Sequence, residues 1–124
     1  MSGLQPWLVV ALGGAMGSVL RHFVGVQAAA RFGLGFPWGT LAVNLAGSAA
    51  IGLAAGLGLG GAWRLGLVTG LLGGFTTFSA FTLETAALWE RRPAQAAAYL
   101  AATLCLGFAG FALCLWIGRR LRAG

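Results

Sequence analysis

The chain has 124 residues, 59% of them hydrophobic and only 8% charged. A soluble domain carries roughly a quarter charged residues, so soluble enzymes and soluble signalling modules are excluded and an integral membrane protein remains. The net charge of +6 comes from eight arginines with no lysine, set against two glutamates; all but Arg21 sit at helix ends, where lipid headgroups and topology account for them better than a nucleic-acid surface would.

Four apolar spans are visible, at about 4–30, 38–60, 64–90 and 94–118, each near the ~20 residues a bilayer requires. The breaks fall at Arg31-Phe32-Gly33 through Pro37, at Gly60-Gly61, and at Glu90-Arg91-Arg92-Pro93. The pattern predicts one small four-helix transmembrane domain over residues 1–124, with very short loops. Met1 to Gln5 holds no positive residue and no clear cleavage site, so no removable signal peptide is expected. Trp7, Trp38, Trp63, Trp89 and Trp116 each lie near a proposed helix end, the arrangement of an aromatic belt at the membrane–water interface.

In the first span, Gly13 and Gly17 are four residues apart, a spacing that lets helix backbones approach closely. Arg21 is the one cation well inside a span, and no acid accompanies it. In the second span, Thr40, Asn44 and Ser48 recur every four residues and so share one helix face. A buried amide needs partners for two donors and an acceptor, so Asn44 reads either as a pathway residue or as interhelical glue. Gly52, Gly56 and Gly60 continue the small-residue spacing.

The third span contains the run Gly73-Gly74-Phe75-Thr76-Thr77-Phe78-Ser79-Ala80-Phe81. Glycines, hydroxyls and phenylalanines in this density suit a broken helix lining a site, because irregular backbone at membrane depth survives only where protein buries it or a cavity solvates it. Phe78 and Phe81 are three apart and project near one another if that part is helical. Their positive ring edges suit a small anion; plain packing is the alternative. The side-chain-free Gly73 and Gly74 leave carbonyls open to a hard cation, and two subunits together could cage one Na⁺. Glu84 lies toward the end of this span.

The fourth span carries Tyr99 and Thr103, four apart, with Gly107 one turn further along. Cys105 and Cys114, nine residues apart, fall on opposite faces of one helix and read as small apolar packing residues. The polar groups within the spans are mainly donors, which favours an anion or a neutral polar solute over a cation.

An even number of spans puts both termini on one side with Arg64, Arg119, Arg120 and Arg122, against Arg31, Arg91 and Arg92 on the other. This near balance gives the positive-inside rule almost nothing to act on. Dual insertion, with opposite copies pairing as an antiparallel dimer, and a weakly biased single topology are both compatible with it.

The run 73–81 with Glu84 resembles the signature of the Fluc (CrcB) fluoride channels, and 39–48 and 13–21 resemble their second- and first-helix motifs. The resemblance implies an all-α membrane protein with four transmembrane helices and a broken third helix, assembled as an antiparallel dual-topology homodimer in the cell membrane. It implies passive export of fluoride, which lowers cytoplasmic toxicity. By motif, Gly73 and Thr76 would give backbone carbonyls to a structural Na⁺ at the dimer interface. Phe78 and Phe81 would face fluoride, Asn44 would donate to it, and Arg21 would sit near the vestibule. Thr40, Ser48, Tyr99 and Thr103 would continue the polar track, while the role of Glu84 stays open. Two departures stand out: Ala80 replaces a usual Thr or Ser, and Gly107 stands where Ser often continues the track.

The rival readings are a small proton-coupled multidrug exporter and a non-transporting membrane assembly protein. The exporter would carry a glutamate in its first span, and Leu4 to Ala30 contains no acid. No enzyme is expected, since there is no nucleophile–base pair and His22 has no placed partner.

Overall fold

The computed structural model describes residues 2–124, and among them all regular structure is helical. Helix α1 runs Gln5–Phe32 and α2 runs Trp38–Leu57. The third span, Gly61–Arg91, divides into α3 (61–75) and α4 (Phe78–Arg91), and α5 runs Pro93–Ala123. Four helical stretches are long and apolar enough to cross a bilayer, so the chain is a multi-pass membrane protein.

The helix ends follow local chemistry. Pro6 lies in the first turn of α1 and Pro93 opens α5, positions where the missing proline N–H costs nothing. Helix α2 stops at Leu57, three residues before the sequence-based end, because Gly58 takes a left-handed conformation (φ 74°, ψ 34°) and its N–H closes on the Ala54 and Ala55 carbonyls. The third span starts at Gly61, earlier than the expected 64, and α5 extends to Ala123, five residues past the expected end. Within α3, Arg64–Leu72 adopts π-helical geometry, which the sequence pattern did not foreshadow. Such segments are uncommon and concentrate at functional sites.

Helix α2 packs most extensively against α5, and α1 against α3. Both seams bring backbone against backbone. A Cβ on Gly118 would lie 2.7 Å from the Leu53 carbonyl oxygen, and one on Gly13 would lie 2.9 Å from the Leu71 nitrogen. The apolar core is small and consists of Leu41, Phe81, Leu88, Ala96 and Tyr99. Large apolar residues along α1, among them Leu12, Met16, Val19 and Phe23, point outward. This suits a bilayer, where lipid tails are as apolar as leucine and close packing, not hydrophobic exclusion, holds helices together.

Candidate functional site

Between α3 and α4, Thr76 and Thr77 are extended, with φ, ψ of −82°, 157° and −152°, 120°. In an unbroken α-helix the Thr77 N–H would donate to the Gly73 carbonyl, and the Ala80 N–H to the Thr76 carbonyl. Both donors are diverted. Thr77 N–H donates to Asn44 Oδ1 at 2.8 Å, and Ala80 N–H donates to the Thr77 hydroxyl at 3.2 Å. Thr77 is thereby the N-cap of α4. Gly73 and Thr76 are left with carbonyls whose helical donors are engaged elsewhere.

Two neighbouring carbonyls at the bend receive side chains from earlier helices. Arg21 Nε donates to the Gly74 carbonyl at 3.1 Å, and Asn44 Nδ2 donates to the Thr77 carbonyl at 2.9 Å. Asn44 thus contacts both the N–H and the C=O of Thr77, itself buried. Gly47 carries no side chain where the Thr76 methyl approaches α2, so the bend can sit directly on that helix.

A cavity of about 430 Å³ opens beside the bend, and Asn44, Ser48, Thr76, Phe78, Phe81 and Thr103 are among its lining residues. The Phe78 and Phe81 rings are 5.9 Å apart and tilted by 49°. Phe81 is buried at 4% exposure, whereas Phe78 is 76% exposed on the single chain. Thr103 Oγ1 is buried and has no hydrogen-bond partner among the described residues. Gly107, also lining the cavity, stands against Ser48: a Cβ there would lie 3.8 Å from the Ser48 hydroxyl.

A second group lies one turn toward the start of α2. Thr40 Oγ1 donates to Glu84 Oε1 at 2.8 Å, and the Tyr99 hydroxyl donates to Glu84 Oε2 at 3.1 Å. Tyr99 is fully buried and stacks near Phe81 (5.1 Å) and edge-on to Phe36 (5.5 Å). Beyond it, Thr40 and Glu84 line a cavity of about 270 Å³ that Arg91 also borders. Phe81, which lines the first cavity, thus contacts Tyr99, whose hydroxyl reaches Glu84 at the second.

The structure brings Asn44, Ser48, Phe78, Phe81 and Thr103 into one cavity with Thr76. It sets Thr40 and Tyr99 apart around Glu84, and it places Arg21 on the backbone of the bend. Gly73 lies on the exposed side of α3. Sequence reasoning missed Thr77 as the residue held by Asn44, although a threonine directly before an apolar helical run is a capping signal. It also gave Glu84 no partners, because these come from α2 and α5, distant in sequence.

Fold and site together define a small multi-pass membrane protein with polar side chains gathered beside the extended residues Thr76 and Thr77 and around Glu84. The chain belongs to the CrcB-like family: the family model described as CrcB-like protein, Camphor Resistance (CrcB), matches residues 8–118. A protein of Hyphomonas neptunium is 47% identical over 127 residues, covering 97% of this chain and 100% of its own length. One from a Caulobacter species is 52% identical, covering 92% of this chain and 94% of its own. A third, from a Chelativorans species, is 45% identical, covering 92% and 96%. All three relatives bear the name fluoride-specific ion channel FluC.

Proposed function

We propose that this chain forms a fluoride-selective channel that lets the anion leave the cell passively. The observation that carries the reading is the cavity that Thr103 lines with Asn44, Phe78 and Phe81, where the Thr103 hydroxyl is buried and without a hydrogen-bond partner among the described residues. A buried hydroxyl without a partner is costly, and a small hydrated anion is a ligand it can serve. The relatives' name supplies the identity of that anion.

Fluoride holds its water strongly, so a pore must offer replacement donors without trapping the ion. Ser48, Thr103 and the second N–H of Asn44 are the donors in the first cavity, and ring edges add weak attraction. Past Phe81 the ion meets Thr40 and Tyr99, whose hydroxyls both engage Glu84. Fluoride advances there by taking those hydrogen bonds from the carboxylate, which recovers them once the ion has left.

The Gly73 and Thr76 carbonyls suit a structural Na⁺, since their helical donors are diverted. One chain offers two such oxygens, and a second antiparallel copy doubles that number. The exposed apolar face of α1 and the exposed Phe78 ring are surfaces such a partner would cover. Na⁺ held there by the Gly73 and Thr76 carbonyls would supply positive charge between the two copies.

The test is fluoride efflux from liposomes containing the purified protein, with chloride as control. Fluoride-selective efflux is expected; equal or absent flux of both ions sinks the reading. A C-terminal tag should be reached by a membrane-impermeant label from both sides of the membrane, and labelling from one side alone rules out dual insertion.

A further inference from the structure

We infer that Asn44 is a positioning residue for the cation site as well as a lining residue of the anion cavity, and that it couples the two. The inference rests on the proposed Na⁺ site and extends it to a side chain in another helix. Asn44 is placed to do this because its Oδ1 holds the one N–H that would otherwise close on the Gly73 carbonyl. Its Nδ2 holds the Thr77 carbonyl from the same side. The amide therefore takes the place of a missing turn of helix and keeps residues 76–77 extended.

Alternative supports for the extended geometry are few. Arg21 acts on Gly74, upstream of the bend, and the Thr77 hydroxyl serves Ala80, downstream. Neither holds the Thr77 N–H. Without the Asn44 amide, the acceptor that helical geometry offers this N–H is the Gly73 carbonyl, and making that bond withdraws the oxygen from any cation. The same side chain faces the cavity shared with Phe81 and Thr103. Loss of Asn44 therefore damages the anion cavity it lines and also the cation site at Gly73 and Thr76, 29 and 32 residues further along the sequence, whereas loss of Phe81 damages only the anion path.

The experiment compares wild type, Asn44→Ala, the volume-preserving Asn44→Leu, Asn44→Asp and Phe81→Ile, all purified in detergent as the full-length protein. The first measurement is thermal melting across a Na⁺ series at constant ionic strength, with K⁺ replacing Na⁺. Wild type and Phe81→Ile should be stabilised at the same Na⁺ concentration, and Asn44→Ala and Asn44→Leu should need at least about tenfold more. The second is amide hydrogen exchange across residues 76–78. Exchange at Thr77 should quicken about tenfold or more in the Ala and Leu variants, the scale of one lost buried hydrogen bond. Asn44→Asp retains the acceptor and should keep Thr77 protected.

An unchanged Na⁺ midpoint and unchanged Thr77 exchange in both Asn44→Ala and Asn44→Leu would overturn the coupling while leaving the cation site standing. A wild type indifferent to Na⁺ would overturn the cation site itself, and the coupling with it. Because neither measurement depends on flux, a failure of the fluoride reading registers separately.

Discussion

Thr40 and Ser48 lie on the same face of α2, two turns apart with Asn44 between them, yet the two ends of that stripe are chemically unlike. At the Thr40 end each hydroxyl is satisfied, because Glu84 accepts from both Thr40 and Tyr99. At the Ser48 end a threonine hydroxyl is buried with no partner, and Asn44 has one amide hydrogen beyond the one given to Thr77. The contrast shows what a carboxylate does in such a path. It fixes hydroxyls that would otherwise lack a partner; on the proposed reading one end offers free donors and the other exchanges occupied ones.

The largest expected effect removes the scaffold that both ends share. Gly118→Leu drives a side chain into the α2 backbone at Leu53 and should cost about 3 kcal/mol, seen as loss of monodisperse protein and a lowered melting temperature. Next comes Glu84→Ala, which strands the Thr40 and Tyr99 hydroxyls. It should lower stability by about 2–3 kcal/mol, the range for hydrogen bonds to charged groups, read by thermal melting in detergent.

The sharpest comparison pairs Thr40→Val with Thr103→Val. The first loses a hydrogen bond to a carboxylate and should destabilise by about 2 kcal/mol. The second removes an orphaned hydroxyl and should leave the melting temperature unchanged or higher, while fluoride flux falls by about two- to tenfold, the scale of one lost donor. Equal destabilisation of both variants would break the comparison. The smallest effect belongs to Gly107→Ser. A Cβ fits there at ordinary contact distance from Ser48, and the added hydroxyl should raise flux by about two- to threefold, under 1 kcal/mol.

Much of this was legible in the residues. Hydropathy located the four spans. Glycine spacing located the seams at Gly13, Gly17, Gly52 and Gly56 but not at Gly60, which lies past the end of α2. The extended Thr76 and Thr77 fall within the run 73–81. The face shared by Thr40, Asn44 and Ser48 followed from helical periodicity alone. Periodicity does not say which neighbour covers each turn, so the Phe81–Tyr99 contact and the pairing of Tyr99 with Glu84 stayed hidden. The π geometry of Arg64–Leu72 was hidden as well, since its hydrogen bonds shift by one residue without a change in composition. Asn44 illustrates the limit best: its need for partners was readable, but the identity of the partner, the backbone of Thr77, depended on how close α2 and the bend come.

The hydrogen bonds around the bend also run in one temporal direction. Arg21 serves Gly74, Asn44 serves Thr77 and Thr40 serves Glu84; in each pair the supporting side chain is made by the ribosome before the group it supports. Chains are synthesised from the N-terminus at about 5–20 residues per second, so α1 and α2 emerge seconds ahead of the bend. The hydroxyl-rich bend and Glu84 thus reach the bilayer when these partners are already in place, and Tyr99, the second donor to Glu84, arrives after them.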